Sequence, residues 1–132
     1  MKNILFICIE NACRSQMAEA FANIHGQRIV RAYSSGSKPS GKVNDKAILA
    51  MQELGYDLTT HYSKSFDDLS DVEFDIIVTI GCGDACPGIK AKQKFEWNIP
   101  DPKNMEMQEF LNVRDLIEEK IKILISEIIK QN

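Results

Sequence analysis

The sequence lacks the features that would place it in a membrane, on nucleic acid or in a secreted disulfide scaffold. Its longest early apolar run, Ile4 to Ile9, is six residues and stops at Glu10. A secretory leader needs about 7–15 apolar residues and a membrane span about 20. There is no basic excess to meet a phosphate backbone: 16 Lys and Arg stand against 19 Asp and Glu, a net charge of −3, which argues against nucleic acid as the main partner. Four cysteines in 132 residues are too few to staple a small secreted fold. No Gly-x-Gly-x-x-Gly stretch announces a dinucleotide cofactor. Neither His25 nor His61 stands at a ligand-like spacing from Cys82 and Cys86, so no metal site is expected. Repeats, low-complexity tracts and Pro/Gly-rich linkers are absent too. What remains is one domain over residues 1–132, expected as a monomer in the cytoplasm, where thiols stay reduced.

The composition that is present, 44% hydrophobic and 27% charged, is that of a globular chain able to bury roughly two-thirds of its unfolded surface. Residues 3–8 form a short continuous apolar run, the pattern of a strand buried on both faces. From Arg14 to His25 the apolar residues Met17, Ala18, Phe21, Ala22 and Ile24 fall at helical spacing, with Gly26 as a stop. Residues 28–34 predict a second strand. Val43 to Leu54 predicts a helix capped by Asn44, with Ala47, Ile48, Met51 and Leu54 on its buried face. A helical turn is expected near Phe66 to Leu69, a buried strand at Phe74 to Ile80, a loop over Gly81 to Lys92 and a short strand at Lys94 to Asn98. Gly81, Gly83 and Gly88 are the expected flexible points of that loop. Phe110, Val113, Ile117, Ile121, Leu124 and Ile128 mark one stripe of a long final helix. Phe6, Phe21, Phe74, Trp97 and Phe110 are expected in the core. Alternating strands and helices predict an α/β fold with a parallel sheet and helices on both faces. Ligands then bind beyond the carboxyl ends of the strands, in the loops after residue 8 and after residue 80.

The first of these loops reads Cys8-Ile9-Glu10-Asn11-Ala12-Cys13-Arg14-Ser15. Curled between a strand and a helix, it aims the backbone N–H groups of Ile9, Glu10, Asn11, Ala12, Cys13 and Arg14 at one point, and the helix start adds positive potential. That is a cradle for a tetrahedral oxyanion. Arg14 supplies a planar fork for two of its oxygens, and the same field favours a thiolate nucleophile at Cys8, with Ser15 as its hydrogen-bond partner. Cys13 is expected to pack as a small apolar residue. A carboxylate beside an anion repels it, so Glu10 is expected to face solvent with only its N–H aimed inward. The plainer alternative is a buried strand-end Cys8 and a surface cation at Arg14.

The stretch from Cys8 to Glu19 resembles the anion loop of the low-molecular-weight protein tyrosine phosphatase superfamily, and Asn11-x-Cys13-Arg14-Ser15-Gln16-Met17-Ala18-Glu19 is similar to its arsenate reductase branch. The likeness continues through Tyr33-Ser34-Ser35-Gly36, Val43-Asn44-x-x-Ala47 and Asp101-Pro102. It implies a flavodoxin-like four-stranded sheet. It also implies that Asp101 is the general acid that protonates a leaving oxygen. Relatives that act on phosphotyrosine carry a Tyr after this Asp-Pro. Here Lys103 stands there, which favours a small inorganic anion.

The second loop carries Cys82 and Cys86, with Pro87 following. A phosphatase needs one cysteine, whereas a reductase must deliver two electrons, and thiols are the available source. The resemblance implies attack of Cys8 on arsenate, a Cys8–Cys82 disulfide as arsenite leaves, and transfer of that disulfide to Cys82–Cys86. An external thioredoxin, or glutaredoxin with glutathione, would reduce it, with no bound cofactor. Related proteins hold potassium with side chains matching Asn11, Glu19 and Ser34 plus an Asp where Lys64 stands. The resemblance therefore implies that the Lys64 ammonium replaces the ion and pairs with Glu19. Slow phosphatase activity is expected besides. The rival functions are a phosphatase working through a Cys8 phosphocysteine and a non-catalytic oxyanion-binding or redox-sensing protein.

Overall fold

The apolar run at the start of the chain becomes a central strand because both of its faces find cover. The computed structural model describes residues 1–81 and 89–131. Its elements are β1 (Lys2–Cys8), α1 (Arg14–His25), β2 (Val30–Gly36), α2 (Asp45–Gln52), β3 (Phe74–Ile80), β4 (Ala91–Trp97) and α3 (Met107–Gln131), with single 3-10 turns at Leu58–Thr60 and Phe66–Leu69. The strands form a four-stranded sheet in the order β2-β1-β3-β4, and every pairing is parallel. Side chains alternate across a strand, so Ile4, Phe6 and Cys8 enter one core and Leu5 and Ile7 the other. The first core is closed by the apolar faces of all three α-helices. The second is closed by Phe66 and Leu69 of the 3-10 turn. The α/β flavodoxin-like four-stranded parallel sheet is as predicted; of the helices expected on both faces, the three α-helices pack on the first core and, among the described residues, the second has only the 3-10 turn. Among the described residues no helix is long and apolar enough to cross a membrane.

Three boundaries differ from the expectation, each for a local reason. β2 starts at Val30 because the chain first turns off α1: Ile29 N and Val30 N both donate to Gly26 O, at 2.9 and 3.0 Å, and Arg28 takes φ 66. It then runs on to Gly36, since Ser34, Ser35 and Gly36 pair with Phe6, Ile7 and Cys8. β4 starts at Ala91, so the expected loop ends sooner. Its Lys92, Gln93 and Lys94 are exposed because β4 is an edge strand, where lysine protects the free edge. α2 ends at Gln52, and Leu54 lies beyond it with 43% exposure instead of on the buried face. Asn44 does cap α2, accepting from Lys46 N at 2.8 Å. Trp97 is only half-buried, tilted against Phe6 at the sheet edge.

Candidate active site

The loop between β1 and α1 has its carbonyls drawn outward by neighbouring segments. Cys8 O accepts from Ser37 N, Ile9 O from Lys38 N, Glu10 O from Ser40 N and Ala12 O from Asn44 N, at 2.8 to 3.3 Å. Asn11 O accepts from the Gln16 side chain at 3.0 Å. Because each peptide is planar with C=O opposite N–H, the amides turn to the concave side. No side chain caps α1 and no acidic residue stands in its first turn, which leaves that helix start to an anion. Asn11 holds φ 51, a conformation asparagine tolerates. Gly36 lets β2 approach: a Cβ there would sit 2.6 Å from Ile9 O and 2.9 Å from Asn11 N.

Cys8, Glu10, Ala12, Cys13, Arg14, Asp101 and Lys103 line a pocket of about 10 Å³, room for about one water-sized group. A larger open cleft of about 420 Å³ beside Tyr56 holds no cysteine, so chemistry and not size marks the site. Cys8 Sγ lies 2.9 Å from Ser15 Oγ. Asn11 Nδ2 donates to that same hydroxyl at 2.7 Å, which leaves the Ser15 proton free to point at the sulfur. Arg14 Nη1 donates to Ile99 O at 2.9 Å and Nη2 lies 3.8 Å from Asp101 Oδ2. Gly81, at φ 67, leaves the clearance the guanidinium occupies, for a Cβ there would overlap Arg14 Nη1. Burial, then the charges of Asp101 and Cys8, push the Cys13 thiol up to about 12, so Cys13 stays a neutral packing residue as expected. Ile9 turns its side chain toward the second core and meets the site only through its backbone. The Glu10 carboxylate does not stand free in solvent: Lys103 Nζ donates to its two oxygens at 2.8 and 3.2 Å. Cys82, Cys86, Gly83 and Gly88 lie outside the described residues.

Beneath the loop lies a polar cluster. Ser34 Oγ donates to Glu19 Oε1 at 2.7 Å, and Lys64 Nζ lies 3.9 Å from the same oxygen. Lys64 N donates to Asn11 Oδ1 at 3.0 Å. So the four expected supporting residues do come together. Burial pulls the Lys64 ammonium below its usual pKa, against the pull of Glu19. Two members had no role assigned from the sequence, His61 and Gln16, which stand 45 positions apart. Gln16 Nε2 donates to Asn11 Oδ1 at 2.9 Å, and its Oε1 is 2.9 Å from His61 Nδ1. His61 Nε2 lies 2.6 Å from Tyr56 OH. A neutral imidazole that donates from Nδ1 and accepts at Nε2 satisfies both bonds. Among the described residues no three His, Cys, Asp or Glu gather as a metal-binding set.

Burial, opposed by Glu19, lowers the His61 pKa below 6.5. Between that lowered value and 6.5 the unfolded chain binds the proton that the folded one refuses. The stability contributed by neutral His61 is therefore complete above pH 6.5 and is lost as pH falls below it. His61→Gln should show a smaller loss of thermal stability between pH 7 and pH 5 than the parent. Equal losses in both proteins would count against this assignment.

A cysteine thiol with an arginine fork, at the carboxyl edge of a parallel sheet and the start of a helix, defines an oxyanion site built for a sulfur nucleophile. Residues 3–132 match the family described as low molecular weight phosphotyrosine protein phosphatase, and the chain belongs to it. It is 43% identical over 126 residues to "Arsenate reductase 2" of Staphylococcus saprophyticus, spanning 92% of this chain and 94% of that one. It is 32% identical over 131 residues to "Glutaredoxin arsenate reductase" of Synechocystis sp., spanning 97% and 99%. A solved structure described as an arsenate reductase in the phosphate binding state superposes with a TM-score of 0.88 at 31% identity, covering 97% of this chain and 99% of that one.

Proposed function

We propose that this chain reduces arsenate to arsenite, with electrons from its own thiols and then from an external thiol protein. The observation that carries the reading is the small pocket over Cys8, lined by Arg14 and Asp101. The names of its relatives support the same reaction. Gly81, which directly precedes Cys82 in sequence, stands beside the Arg14 guanidinium, where an added Cβ would overlap Nη1.

The Cys8 thiolate attacks arsenic, Arg14 and the loop amides hold the oxygens, and Asp101 gives a proton to the oxygen that departs as water. Cys82 thiolate then attacks Cys8 Sγ. The electron pair of the S–As bond stays on arsenic, which leaves as arsenite, and a Cys8–Cys82 disulfide remains. Cys86 attacks Cys82, freeing Cys8, and a thioredoxin or glutaredoxin dithiol reduces the Cys82–Cys86 bond. Ser15, Asn11 and Gln16 hold the nucleophile in place, and Lys64 beside Glu19 fills the position of a bound cation.

The test supplies arsenate with a thioredoxin system or with glutaredoxin and glutathione, and follows NADPH. Consumption that requires arsenate is expected, with slow hydrolysis of an aryl phosphate alongside. Ester hydrolysis without arsenate-dependent NADPH loss would show a phosphatase instead, and binding without either reaction a sensor. Replacing sodium with potassium is expected to leave the rate unchanged; a potassium-specific rise would sink the role given to Lys64.

A further inference from the structure

The mouth of the Cys8 pocket is crossed by two residues from opposite loops. Glu10 belongs to the anion loop and Lys103 to the segment that follows Asp101. Lys103 Nζ reaches both Glu10 oxygens, at 2.8 and 3.2 Å. The base of the span is fixed as well, for Lys103 N donates to Asp101 Oδ1 at 3.0 Å. On one side lies the pocket of about 10 Å³ around Cys8. On the other lies a cavity of about 310 Å³ lined by Ser40, Lys42 and Asn44. Glu10, Ala12 and Lys103 line both, so the ion pair is the partition between them.

We propose that the Glu10–Lys103 pair is a strap that confines the Cys8 pocket to inorganic oxyanions and discriminates against organic phosphate esters. The inference rests on the oxyanion reading of that pocket and adds the residues that set its selectivity. A tetrahedral anion seated on the loop amides points its fourth substituent toward the mouth. An oxygen or hydroxyl fits beneath the strap, whereas an aryl group must part it to reach the neighbouring cavity. The pair also removes an electrostatic conflict. An unpaired Glu10 would repel the anion, and Lys103 neutralises it; the hydrogen bond that Lys103 donates to Glu10 in turn raises the Lys103 pKa, which keeps that ammonium charged. The two side chains are half exposed, at 34% and 47%, so the strap is a modest filter and opens thermally, with discrimination of up to about fivefold.

The test is binding alone, measured by calorimetry with inorganic phosphate and phenylphosphonate on the parent, Glu10→Ala and Lys103→Ala. The two substitutions change net charge in opposite directions but both remove the strap. Relative affinity for phenylphosphonate over phosphate is expected to rise about fivefold in both variants. A rise below about twofold in either, or shifts of opposite sign, overturns the strap, since charge and not space would then govern the ratio. Phosphate that fails to bind the parent would sink the strap and the oxyanion reading together. Phosphate binding without arsenate turnover would sink only the reductase.

Discussion

Alanine at Gly81 is expected to lower kcat/KM for arsenate about 10²-fold, the usual scale for losing one preorganised donor to a developing anion. The position is constrained twice. Its φ of 67 suits glycine, and its missing side chain leaves the space that Arg14 Nη1 fills. A methyl group there cannot coexist with the bond from Nη1 to Ile99 O, and Ile99 O itself stands 3.2 Å from the added carbon. The guanidinium must swing away from the pocket, and the clamp on the oxyanion goes with it. Gly55→Ala is the matching control. Gly55 holds φ 82 with nothing within 4 Å of its Cβ position, so that variant meets a similar backbone penalty, about 1–2 kcal/mol, without touching Arg14. Thermal unfolding and steady-state kinetics on both separate strain from displacement. A loss below about tenfold at Gly81, or an equal loss at Gly55, would falsify the clearance role.

The second large effect concerns the two cysteines after β3. Cys86→Ser is expected to release one arsenite per chain and then stop, trapped as the Cys8–Cys82 disulfide. Cys82→Ser is expected to release none with thioredoxin, because the thiol that attacks Cys8 sulfur is gone. Thiol counts check the chemistry. The Cys86→Ser chain keeps three of the four cysteines, and one turnover should leave a single titratable thiol, Cys13. That count must be taken in denaturant, since in the folded protein burial holds the Cys13 thiol at about 12, beyond labelling near neutral pH. Continuous turnover in both variants would show that Cys8 is regenerated directly from solution and that the second loop has no redox part.

The loop from Cys8 to Ser15 was legible because each of its roles is local. A strand, a turn and a helix start lie within eight consecutive residues, and spacing alone brings thiol, amides and guanidinium to one point. Asp101 was legible only through resemblance; an Asp-Pro before a helix is otherwise an ordinary turn. The long stripe of α3 and the buried run of β3 were plain from periodicity. The ends of β2 and α2 and the start of β4 were not. Ser35 and Gly36 fall outside the expected strand until their pairing with β1 is known, and Ala91 and Lys92 read as loop because an edge strand needs an apolar face only on the side that packs.

By itself, the order of residues determined the fold class and singled out the loop after β1, with its thiol and guanidinium, as the candidate site. These follow from period, cap and turn, which act over a few neighbours. The tertiary structure alone decided which distant residues stand against that loop. His61 on Gln16, Gly81 beside Arg14, Gly36 against Ile9, and Lys103 on Glu10 are separated by 27 to 93 positions. No sequence period spans such gaps, so only the stacking of β2, β1 and β3, and the return of the chain before α3, brings them within bonding distance.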